Sequence, residues 1–114
     1  MLTDKKTLKT FSEIRSALTE IDHQRKDNTL SETERELLEL SAVRLREAER
    51  ELIEAKEKNI TTGLDRSIKN LSALTKEIRK SVARMNKTVS TLDSIESIIK
   101  QLVKILTYTN NIVK

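Results

Sequence analysis

From Leu64 to Val113 every seventh residue is apolar: Leu64, Leu71, Ile78, Met85, Leu92, Ile99, Leu106 and Val113. Four residues after each of the first seven stand Ile68, Thr75, Val82, Val89, Glu96, Val103 and Asn110, mostly β-branched or apolar. A heptad repeat of this length makes a seam that must be covered by another helix. No Gly or Pro follows Gly63, so the spacing predicts one helix over about 64–113, ~75 Å long at 1.5 Å per residue. The rest of the chain is then expected to cover that helix.

The supply of turn residues agrees. The 114 residues include one Gly and no Pro. Sheets need many reversals, and reversals draw on Gly, Pro, Asn and Asp. The expectation is an all-α chain of two or three long elements in a single domain over 1–114. One Phe, one Tyr and no Trp leave Leu, Ile, Val and Ala to build the core, which suits helix seams.

Two more helices are expected before the heptad. The first, about 4–26, carries Leu8, Phe11, Ile14, Leu18 and Ile21 at spacings of three and four, with Thr3 as its cap. The second, about 31–59, carries Leu38, Ser41, Leu45, Ala48, Leu52 and Ala55, large alternating with small. Ser31-Glu32-Thr33-Glu34 has the form of a capping box at its start. Between the two, Asp27-Asn28-Thr29-Leu30 allows a kink, a short loop or a continuous polar helix. Residues 60–63, Ile60-Thr61-Thr62-Gly63, form the one clear reversal, where Gly63 can take positive φ and Thr62 can cap the next helix.

The fold class that follows is a long antiparallel helical hairpin or coiled coil. A register that brings Leu52 to Leu71, Leu45 to Ile78 and Leu38 to Met85 meshes the two halves. Carried on, it brings Ile21 to Leu102, Leu18 to Ile105 and Phe11 to Ile112. Charge favours the pairing. Residues 1–63 hold 12 basic and 14 acidic side chains, while residues 64–114 hold 10 and 4. The alternative has the first helix doubling back at 27–30, giving three helices with Leu92–Val113 projecting.

In the hairpin two apolar sets lie outside the seam: Leu37, Leu40, Val43 and Ile53, and Leu74, Ile95, Ile98 and Leu102. Such surplus marks an interface. A homodimer is therefore expected, most simply two hairpins in a four-helix bundle, with contacts at Leu38, Leu45, Leu52, Leu71, Ile78, Met85, Leu92, Ile99, Leu102 and Leu106.

Little chemistry is legible. The chain has no Cys, which excludes thiolate catalysis and zinc–thiolate sites. His23 is the only His and stands beside Asp22 in a polar stretch, where a solvated side chain is expected. The glutamates of the second helix alternate with arginines, as on a salt-bridged surface. No enzyme activity, cofactor or metal is expected. The basic positions Arg66, Lys69, Lys76, Lys80, Arg84 and Lys87 fall on one outer stripe that could follow a phosphate backbone, though no aromatics interleave for stacking. The apolar arc from Leu92 to Leu106 could rest in a membrane interface, but it is too short and too interrupted by charge to span one. No signal peptide is visible, so the expected compartment is the cytoplasm.

The chain's size and central turn resemble, in outline, the small helical-hairpin substrates of type VII secretion. Thr61-Thr62-Gly63 stands where those carry Trp-x-Gly, and Tyr108 is followed by Ile112 rather than an acidic residue. Nothing is carried over from that outline. The function expected is a non-catalytic, self-associating structural, adaptor or assembly subunit.

Overall fold

The computed structural model describes residues 4–26, 31–58, 60–81 and 89–113. These are almost wholly helical: α1 (Asp4–Gln24), α2 (Glu32–Lys58), α3 (Thr62–Ser81) and α4 (Val89–Val113). The all-α expectation holds, and the limits of the first two helices match to within two residues.

The start of α2 follows the local chemistry read from the sequence. The Glu34 amide donates to Ser31 Oγ at 3.1 Å, and the Ser31 hydroxyl donates to the Glu34 carboxylate at 3.1 Å. Two groups at the helix end are thus satisfied reciprocally. The start of α3 differs by one residue. The Asp65 amide donates to the Thr61 carbonyl at 3.0 Å, so Thr61 rather than Thr62 is the boundary residue. Gly63 lies inside the first helical turn and does not adopt positive φ. What it provides is room: a Cβ there would collide with the Glu51 carboxylate of α2. That carboxylate sits against the positive end of the α3 dipole, where negative charge is favoured.

The heptad stretch does not form one helix. Arg79 at the end of α3 pairs with Glu96 of α4, its Nε donating to Oε1 at 2.6 Å, and with Asp93 at 3.5 Å. In a continuous helix Arg79 and Glu96 would stand about 25 Å apart. The whole molecule measures 49 × 22 × 17 Å, too short for a ~75 Å rod. α4 therefore runs back antiparallel to α3. The physical reason is that a heptad pattern fits a seam between two packed helices as well as a seam along one long helix. Met85, the residue that would join the two halves of the seam, is outside the described residues.

The chain also doubles back between α1 and α2. Arg15 of α1 meets Glu49 of α2 at 2.8 Å and Arg25 meets Glu39 at 3.7 Å, an antiparallel arrangement. The result is an up-down-up-down bundle in which α1 packs on α2, α2 on α3, α3 on α4, and α4 on α1. Both earlier outlines need correction. α1 does lie antiparallel to α4, but Thr10, which the hairpin register places level with Val113, meets Gln101 instead. Nor does α4 project, as the three-helix alternative required.

All four helices feed one core. It contains Ile14, Ala17 and Ile21 from α1; Leu38, Leu45, Ala48, Leu52 and Ala55 from α2; Leu64, Ile68 and Leu71 from α3; and Ile95, Ile98, Leu102 and Ile105 from α4. Leu74, Ile78 and Leu92 make a smaller cluster against Leu37. Each fully buried Leu or Ile contributes about 1.5–3 kcal/mol of transfer free energy. Two buried hydroxyls are satisfied within their own helices: Ser41 donates to the Leu37 carbonyl and Thr75 to the Leu71 carbonyl, each at 2.8 Å. Such bonds let a small polar residue occupy an apolar seam at little cost.

Candidate interaction surfaces

The predicted helix-contact residues are placed as contacts within one chain. Leu38, Leu45, Leu52, Leu71, Ile78, Leu92 and Leu102 are buried, and Ile99 and Leu106 are half-buried against the core. The two surplus apolar sets separate. Leu74, Ile95, Ile98 and Leu102 are buried in the chain's own fold. The return of α4 uses the surface that a second hairpin was expected to cover. The same return occupies the C-terminal apolar arc, of which only Val103 stays well exposed, at 43%. Among the described residues no helix is long and apolar enough to cross a membrane.

The other set stays outside. Leu40 is 38% exposed, Val43 45% and Ile53 41%, with Leu37 half-buried beside Leu40. Leu37, Leu40 and Val43 follow each other at intervals of three along α2. That is the spacing of a surface ridge that packs into the groove of another helix. Ile53 stands on the α1 side of α2, apart from this ridge.

The basic stripe is partly described. Arg66, Lys69, Lys76 and Lys80 are all exposed on α3, spread over about 21 Å of helix. Arg84 and Lys87 fall outside the described residues. Lys69 pairs with Asp65 at 3.1 Å within its own helix. On the α4 side, hydrogen bonding to Glu96, opposed by desolvation and helped by the charges of Glu96 and Asp93, raises the proton affinity of Arg79 above its ordinary value. This cation is committed to holding α3 against α4.

The α1–α4 seam is the part that sequence reasoning missed. It is bridged by a polar network centred on Gln101. Thr10 Oγ1 donates to Gln101 Oε1 at 2.8 Å, and Gln101 Nε2 donates to Glu13 and to Ser97. On one side of this network a cleft of about 140 Å³ is lined by Lys6, Lys9, Thr10, Gln101, Lys104 and Ile105. On the other side a wider cleft of about 380 Å³ is lined by Glu13, Glu20, Asp93 and small polar residues. One seam thus carries positive charge at one end and negative charge at the other. Lys6 and Lys9 could be read as helix neighbours from their spacing. Their approach to Lys104 depends on the α1–α4 register, which no local pattern encodes.

His23 is exposed at the end of α1, as its polar surroundings suggest. Among the described residues no three His, Asp or Glu side chains are gathered so as to hold a metal ion. Compared with known proteins, the chain matches no family model, no curated protein and no solved structure.

Proposed function

We propose that this protein is a non-catalytic helical-bundle subunit that acts by helix–helix contact, as a structural, adaptor or assembly component, and that it self-associates through the outer face of α2. The observation that carries the reading is the exposed ridge of Leu40 and Val43, bordered by Leu37, on a helix whose opposite face is fully used by the core. Charge supports pairing with a second copy. The ridge is surrounded by both acidic residues, Glu36, Glu39 and Glu47, and basic ones, Arg44 and Arg46, a mixture that an antiparallel copy complements.

The ridge is narrow. Stable interfaces bury about 1,200–2,000 Å² in total, so the association expected is weak and concentration-dependent, of coiled-coil type along α2. We take its setting to be the cytoplasm. Sedimentation velocity from micromolar to millimolar protein tests the reading. The sedimentation coefficient should rise with concentration, and Leu40→Glu or Val43→Glu should hold the protein monomeric. A monomer at every concentration overturns self-association.

A second reading rests on the basic face of α3. Arg66, Lys69, Lys76 and Lys80 point outward together, and such a row can track a polyanion, nucleic acid above all. If all four engage phosphates, the logarithm of the binding constant should fall with the logarithm of salt at a slope of about −3 to −4. No binding to duplex or single-stranded oligonucleotides at ~50 mM salt removes this reading.

A further inference from the structure

The basic cleft between α1 and α4 poses a question of charge. Several of the other cations of the bundle stand next to carboxylates: Arg15 at Glu49, Arg25 at Glu39, Arg44 at Glu47, Lys58 at Glu54, Lys69 at Asp65 and Arg79 at Asp93 and Glu96. In this cleft Lys6 and Lys9 from one helix and Lys104 from the other line the same concavity, and no carboxylate is among its lining residues. The nearest acid along the seam, Glu13, is turned to the amide of Gln101. Lys6 and Lys9 also lie in the first two turns of α1, where the helix dipole disfavours positive charge. Three like charges gathered around one concavity repel one another and focus a positive potential outward. Among the residues that line the cleft none carries a charge that offsets this repulsion.

We propose that this cleft binds the phosphate group of a small anionic ligand, a phosphomonoester, with Lys6, Lys9 and Lys104 as its cationic grip. Size and shape favour a single group. At about 140 Å³ the cleft is well below the 300–1,000 Å³ of pockets that enclose whole drug-sized molecules, so it holds the charged head and leaves the remainder of the ligand in solvent. The convergence of the lysines distinguishes it from the α3 stripe, whose cations are strung out along a helix as a polymer would require. The back wall is fixed in place. Gln101 is held by Thr10, Glu13 and Ser97, and the single Thr10 hydroxyl proton is shared between Gln101 Oε1 and the Lys6 carbonyl, each 2.8 Å from Oγ1. The lysines thus swing from a rigid base, and each contributes a charge-assisted contact of the stronger kind. This inference is independent of the α2 ridge and stands whether or not the protein self-associates.

The test is a titration of ¹⁵N-labelled protein with inorganic phosphate and then pyrophosphate, against chloride at matched ionic strength. The expected result is saturable shift changes confined to residues 5–10 and 100–105, with pyrophosphate tighter than phosphate. Lys9→Gln and Lys104→Gln should each weaken binding about tenfold, and the triple Lys6→Gln, Lys9→Gln, Lys104→Gln variant should lose it. Lys69→Gln with Lys76→Gln on α3 should leave it unchanged. All these side chains are exposed, so the variants keep the fold, and circular dichroism checks that they do. Linear drift equal to that with chloride overturns the proposal, as does a response spread equally over α3. So does binding that appears only with oligonucleotides and strengthens with their length.

Discussion

The α2–α3 seam and the α1–α4 seam solve the same packing problem in opposite ways. The first joins helices that are neighbours in sequence across a reversal of a few residues. It is apolar, uses Ala48 and Ala55 to bring the helices close, and keeps the Ser41 hydroxyl bonded within its own helix. The second joins residues ninety positions apart and is fastened by Thr10, Gln101, Glu13 and Ser97, with a basic and an acidic cleft on either side. The contrast teaches that apolar patterning sets which faces turn inward, whereas polar contacts across a seam set its register. An apolar seam tolerates sliding by a heptad, while a bridged pair such as Thr10 and Gln101 does not.

The sharpest way to break the comparison is to ask whether α4 belongs to the core at all. Ile98→Ala should cost about 2–5 kcal/mol in denaturant unfolding, as much as Leu45→Ala, since both side chains are fully buried. A cost below that range for Ile98→Ala alone would mean that the α4 face is solvated and the single-chain bundle wrong. Next in size is the fastening itself. Gln101→Ala should cost about 1–2 kcal/mol by stripping Glu13 and Thr10 of their cross-helix partner. Ser41→Ala on α2 should change stability by less than about 1 kcal/mol, because it removes only the bond to the Leu37 carbonyl within one helix. Equal effects at the two sites would erase the distinction drawn here.

Smaller effects sharpen the local readings. Ser31→Ala should destabilise by about 1 kcal/mol through loss of the cap on Glu34, measured as a lower thermal midpoint. Gly63→Ala carries the most informative sign. A turn glycine with positive φ would be damaged by a side chain. A helical glycine gains up to about 1 kcal/mol from alanine, less whatever it costs to move the flexible Glu51 carboxylate aside. Stability equal to or above that of the wild type is expected; a loss would mean that the Glu51 contact matters more than helix propensity.

Much of the fold was legible where the signal was local. The ends of α1 and α2, the Ser31 cap and the inward faces of α2 and α3 follow from spacing and capping chemistry, whereas α4 turns Ile95, Ile98, Leu102 and Ile105 inward in place of the heptad positions Ile99 and Val103, and Leu8 of the α1 stripe is exposed. The break between α3 and α4 was not read, because the heptad runs through it without Gly or Pro. The available signal was compositional: Asn86, Thr88, Ser90 and Thr91 crowd the stretch between Met85 and Leu92. The surplus set Leu74, Ile95, Ile98 and Leu102 was correctly seen as needing cover, but the cover came from the same chain. Of the candidate surfaces, the α3 stripe and the α2 ridge could be found on a helical wheel. The lysine cleft could not, since it exists only once α1 and α4 are set side by side.

Three of the four helix pairs link stretches that follow one another along the chain, so most contacts can form by local zipping. The Thr10–Gln101 contact, spanning 91 residues, closes the largest loop and carries the largest entropic cost. Assembly should therefore be fast for the α2–α3 pair and end with α1 and α4 meeting. Amide exchange would register that order as protection greatest in α2 and α3 and least along the outer two helices.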